Sequence, residues 1–141
     1  MNADDRVICV LHGISLGIAI DISSACDIRL AAADARMSIK EVDVGLAADV
    51  GTLQRFPRVV GNESWTKELA YTGRFFSAQE ALDRGFVSAV FKTKEEAVEK
   101  GYSIAKDIAG KSPIAVQGTK HLLDYSRDHT IREGMNSPTW F

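Results

Sequence analysis

The stretch Val7–Ala31, VICVLHGISLGIAIDISSACDIRLA, decides the fold class. Its unbroken apolar run, Val7 to Leu11, fits a buried strand, with Cys9 as a small core residue. His12-Gly13 breaks the run, and Gly17 permits a tight approach ahead of a helical segment from Ile18 to Ser24. Asp27 to Ala32 then reads as a second buried strand. Strand, glycine turn, helix and strand in that order point to an α/β fold. The start of such a helix presents unpaired backbone N–H groups, which stabilise negative charge already present or developing there. Asp21 lies one turn into the helix between Ile20 and Ile22, with no basic residue before Arg29. An acid so placed is either a buried polar group that needs partners or a working one.

Downstream, Lys40–Phe56 reads KEVDVGLAADVGTLQRF and sets Glu41 and Asp49 eight residues apart in an apolar, Gly-interrupted segment. Carboxyl groups among Val42, Val44, Leu46, Ala47, Ala48 and Val50 are expected to lose water and to titrate above the ordinary value of about 4. Proton transfer at neutral pH needs acids of that kind. The alternative is that Glu41, Asp43 and Asp49 sit on a solvated loop. Arg36 to Lys40 alternates as a third short strand that delivers Glu41 at its end, where open α/β folds place their chemistry.

The rest of the chain reads mostly as helix. Val50 to Val60 is expected in two pieces, since Pro57 disfavours a helical Phe56. Asn62 caps a helix to Thr72 with Gly73 past its end. Ser77 to Glu80 is a capping box for a short helix that Gly85 closes, and Phe86 to Phe91 is a last strand. Thr93 to Glu96 opens a helix to about Ala109, and Ser112-Pro113 opens one to about Tyr125.

The 141 residues fit one domain, with 45% apolar residues and a net charge of −2. That balance disfavours nucleic acid as a partner. No apolar run approaches the ~20 residues of a membrane span. Cys9 and Cys26 lack CxxC spacing and read as reduced, buried thiols. The acidic start, MNADDR, fits neither a signal nor a transit peptide, and the end, PTWF, is not an SKL-type address. His121 and His129 lack metal-ligand spacing, so no metal is expected. His12 is expected to pack or cap rather than bind. Trp65, Tyr71, Phe75 and Phe76 are expected in the core or in subunit contacts, and Lys92, Lys111 and Lys120 in solvent.

His12-Gly13, Gly17, Asp21, Ser24–Arg29 (SACDIR), Lys40–Arg55, Ser112–Lys120 (SPIAVQGTK) and Tyr125–His129 (YSRDH) together resemble the enoyl-CoA hydratase/isomerase (crotonase) superfamily. Within it they are most similar to the Δ3,5-Δ2,4-dienoyl-CoA isomerases. Hydratases typically carry glutamate at the position of Asp21 and a small residue at that of Asp49. The resemblance implies an α/β fold: the C-terminal part of a spiral ββα core over residues 1–91, followed by a helical region over 92–141. The first half of such a fold is absent, and with it the other oxyanion N–H and most of the surface for the CoA adenine. An apolar edge at Val7–Leu11 is the expected consequence.

The same resemblance implies the chemistry. Asp21, Glu41 and Asp49 would form the catalytic set, and backbone N–H groups at Gly17 and Ile18 would bind the thioester oxygen. Glu41 would take a proton from C2 of a 3,5-dienoyl-CoA, Asp49 would return one at C6, and Asp21 would orient the pair. The partner is an acyl-CoA thioester, and no cofactor is implied beyond the CoA of the substrate. A homo-oligomer, trimer or dimer of trimers, in peroxisome or mitochondrion would follow. Ile18 and Ala19 depart from the GGG often found after this turn, which adds β-branched bulk beside the acyl path. An enoyl-CoA hydratase and a non-catalytic remnant serving as an assembly module are the two other readings.

Overall fold

A computed structural model describes residues 5–136; the terminal stretches read above, MNAD and SPTWF, lie outside the described residues. The chain divides into two compact units, Arg6–Tyr102 and Ser103 onward together with Asp5.

The first unit holds two small sheets. In one, β1 (Ile8–Leu11), β3 (Ile28–Ala32) and β6 (Ala89–Phe91) run parallel in the order β1-β3-β6. Register pairs Ile8 with Ile28 and Leu30 with Ala89. β1 is thus the expected edge strand, and its Ile8, Cys9 and Val10 stay half-buried. Alternation along β1 divides its side chains between two faces. Leu11 enters the main core with Ala31, whereas Ile8, Val10 and Leu30 approach Gly101 of helix α5 (Lys94–Ala109).

The second sheet joins β2 (Ile14–Leu16) to β4 (Arg36–Ser38) in parallel and β4 to β5 (Phe76–Ser77) antiparallel. Neither β2 nor β5 was expected, because two or three residues carry no periodicity to read. Helix α1 (Ile18–Ala25) connects β2 to β3, and a 3₁₀ turn, Glu41–Val44, follows β4.

Helix α2 (Thr52–Val60) runs unbroken through Pro57, which corrects the expectation of two pieces. Proline inside a helix costs about 3 kcal/mol. Phe56 offsets that cost. It is fully buried, with ring centroids 5.5 Å from Trp65, 4.7 Å from Phe86 and 6.2 Å from Phe76. Burying a Phe stabilises by about 1.5–3 kcal/mol, and each ring pair adds about 0.5–1.5 kcal/mol. Helix α3 (Glu63–Thr72) starts as expected at Asn62, whose side chain accepts from Trp65 N–H, and ends at Gly73. Helix α4 (Ala78–Asp83) takes its cap from Ser77. The return half of that capping box is diverted, since the Glu80 carboxylate accepts from Trp65 Nε1 at 2.9 Å and Arg74 Nη2 at 2.7 Å.

The last strand is shorter than expected. Phe86 and Val87 are buried in the core, and both their N–H groups reach the Ala81 carbonyl instead of a neighbouring strand.

In the second unit, α6 (Pro113–Ser126) is capped by Ser112, and α7 (Ile131–Met135) opens with a complete capping box between Thr130 and Glu133. No described helix is long and apolar enough to cross a membrane.

Candidate active site

Gly17 sets the start of α1 with φ +51°, a backbone state that residues with a Cβ rarely adopt. Its N–H donates to the Ser38 carbonyl at 3.1 Å. That bond corrects one expectation, because a Gly17 N–H so engaged is not open to a thioester oxygen. The next N–H, Ile18, finds no acceptor among the described residues, as the first residue of a helix should. The Ile18 side chain is 57% exposed, so it stands beside that donor and does not enter the core.

Glu41 arrives at the same place from the end of β4. A Cβ built on Gly17 would stand 3.0 Å from Glu41 Oε1. The other oxygen, Oε2, is buried and has no hydrogen-bond partner among the described residues. The surrounding turn is braced from both sides: Ser38 Oγ and Lys40 Nζ both donate to the Gly73 carbonyl, at 2.7 and 2.9 Å, and Lys40 also pairs with Asp43.

Asp21, one turn further along α1, is 4% exposed. Its Oδ1 accepts from both Thr52 N–H at 2.8 Å and Thr52 Oγ1 at 2.7 Å. The segment from Glu41 to Thr52 therefore meets the first turn of α1 at both ends: Glu41 Oε1 lies close against Gly17, and Thr52 is hydrogen-bonded to Asp21.

Asp49 lies between those two contacts, in the turn three residues before Thr52, and is exposed. So are Val42, Val44, Leu46 and Val50. The expectation of dehydrated acids in an apolar nest is corrected for Asp49: Ala48 beside it turns into the core, while Val42, Val44, Leu46 and Val50 face solvent with it. Glu41 is half-buried, and Asp21 alone of the three acids is fully buried.

Sequence reasoning missed Thr52. The available signal was that α2 begins after Gly51, a residue with no side chain to cap it, so the cap had to come from elsewhere.

Other expectations divide. Trp65 and Phe76 are core residues, but Tyr71 is exposed and Phe75 lies under Arg36 and Lys40 at 4.5 and 5.2 Å. His12 is exposed instead of packed. No disulfide joins Cys9 and Cys26; burial, and then neighbouring Cys26, push the Cys9 thiol up to about 11. Among the described residues no group of three or more His, Cys, Asp or Glu is placed to hold a metal ion.

The family model described as enoyl-CoA hydratase/isomerase matches residues 1–137. The chain belongs to the enoyl-CoA hydratase/isomerase family.

Among curated members, the mitochondrial Δ(3,5)-Δ(2,4)-dienoyl-CoA isomerase of Rattus norvegicus is 52% identical over 95% of this chain and 41% of its own length. The peroxisomal protein of the same name from Arabidopsis thaliana is 47% identical over 95% of this chain and 48% of its own. Among solved structures, an enoyl-CoA hydratase from Bacillus anthracis superposes with a TM-score of 0.89 at 36% identity, covering 94% of this chain and 51% of that one. The crotonase-like α/β architecture is thereby established. This member of the family spans about half or less of the length of the relatives it matches.

Proposed function

We propose that this chain carries the acid–base residues of an isomerase that converts 3,5-dienoyl-CoA to 2,4-dienoyl-CoA. The observation that carries the reading is Glu41: a carboxylate with one oxygen buried and unpartnered, held against the helix turn whose Ile18 N–H is also without an acceptor. A buried acceptor left unsatisfied costs about 1–3 kcal/mol, which is understandable at a site that waits for a proton donor. The names of the relatives and the presence of acids at 21, 41 and 49 support the subclass.

In this reading Glu41 removes a proton from C2, which the thioester carbonyl acidifies. The C2–H electron pair shifts onto the thioester oxygen, where the Ile18 N–H meets the developing charge, and returns through the diene to C6 when that carbon is protonated. One such donor is worth about 10²–10³ in rate. Asp49 delivers a proton at C6, and the conjugated 2,4-diene results. Asp21 orients the pair. Protons balance, with one taken and one given, and no redox step arises. Within the same proposal, the chain works as a homo-oligomer, a trimer or pair of trimers, in mitochondrion or peroxisome, the compartments named for its relatives.

The test is ultraviolet detection of the conjugated diene when 3,5-dienoyl-CoA is mixed with the complete natural polypeptide that includes this chain. Growth of that absorbance is expected. Hydration of a 2-enoyl-CoA at a higher rate than isomerisation would overturn the subclass.

A further inference from the structure

We infer that Thr52 is a positioning residue for the isomerisation, acting through Asp21; the inference rests on the function proposed above. Both Thr52 donors, the N–H and Oγ1, converge on one oxygen of Asp21, at 2.8 and 2.7 Å. Both residues are buried. The carboxylate is thus fixed through Oδ1 alone, while Oδ2 has no bond to a described residue.

Two donors on a single oxygen do more than satisfy a buried charge. A carboxylate held by one bond still swings about its Cβ–Cγ axis, whereas N–H and O–H from one residue approach from two directions and stop that rotation. Position follows as well. Thr52 opens α2, whose preceding residue, Gly51, offers no side-chain cap, so Asp21 caps α2 from 31 positions away. Thr52 also ends the segment that begins at Glu41 and contains Asp49. The bond that orients Asp21 therefore also sets where Asp49 leaves the loop. Loss of Oγ1 loosens two acids at once without removing either.

The experiment compares Thr52→Val, Thr52→Ser and wild type in the complete natural polypeptide, reading kcat, KM and melting temperature. Thr52→Val keeps size and β-branching but loses Oγ1. Its kcat is expected to fall about 10- to 100-fold with KM nearly unchanged, the pattern of a misplaced group and not of weakened binding. Thr52→Ser, which keeps both donors, is expected to recover most of the loss. A merely structural Thr52 would lower the melting temperature and leave kcat at the wild-type value below it; that result overturns the inference alone. A wild type that does not isomerise 3,5-dienoyl-CoA overturns the proposed function, and the inference with it.

A second measurement needs no variant to fold. In wild type the Thr52 amide is expected to be protected from hydrogen exchange and to shift in NMR spectra when 2,4-dienoyl-CoA is added. An unprotected amide that does not respond would overturn the inference.

Discussion

Gly17 and Glu41 share one space: the Glu41 Oε1 atom lies 3.0 Å from where a side chain on residue 17 would begin. The absence of that side chain lets the carboxylate reach the start of α1. Gly17→Ala is therefore expected to act twice. A left-handed backbone with a Cβ costs about 1–3 kcal/mol, and the new methyl displaces Glu41. Urea denaturation should show a loss of stability in that range, together with a fall in kcat. A variant as stable and as active as wild type would show that Glu41 does not depend on this approach.

Glu41→Gln and Asp49→Asn keep shape and remove the ability to exchange protons. Each is expected to lower kcat by several orders of magnitude with a small change in KM, since the lost interaction belongs to the transition state. A wild-type rate in either variant removes that residue from the chemistry.

The helices were largely legible in the sequence, because their ends carry local chemistry. Asn62, Ser77, Thr93 and Ser112, each read as a helix start, all accept from backbone N–H groups there. The strand at Val7–Leu11 was legible from its apolar run, and its place at a sheet edge was implied by the family resemblance alone. What escaped depends on distant partners. Pro57 is tolerated because Phe56 is gripped by rings from three other segments. Phe86 and Val87 read as strand but are turned into the core by the Ala81 carbonyl. The site divides the same way. Its three acids stand out in the sequence, while the Thr52 bond to Asp21 spans 31 residues and the exposure of Asp49 depends on what packs over it.

Glu80 joins α3 to α4, and its stabilisation depends on pH. Hydrogen bonding from Arg74, and then from Trp65, holds its carboxyl below the usual range. Its value is thus lower folded than unfolded, so the stabilisation is complete above the unfolded value of about 4.3 and is lost as pH falls through the folded value. Glu80→Gln is expected to lower stability near neutral pH and to flatten its decline below pH ~4.3. Urea midpoints taken across that range check both, and an unchanged acid limb would show that the ion pair is silent.

Exposed apolar side chains mark surfaces that seek cover. The first unit exposes Ile18, Val44, Leu46 and Val50, and the second exposes Ile114, Leu123, Ile131 and Met135. The isolated 141-residue chain is therefore expected to self-associate, with the segment after Ser112 as a contact, and to turn over dienoyl-CoA poorly. Sedimentation reads the association directly. A stable monomer with full turnover would show that these faces need no partner.

Whether the acids at 21, 41 and 49 serve a double-bond shift is decided by one paired assay. The complete natural polypeptide that includes this chain is given 3,5-dienoyl-CoA in one cuvette and 2-enoyl-CoA in another, and diene formation is compared with hydration. Faster diene formation, lost in Glu41→Gln, is the expected result. Faster hydration, or diene formation that survives Glu41→Gln unchanged, would contradict it.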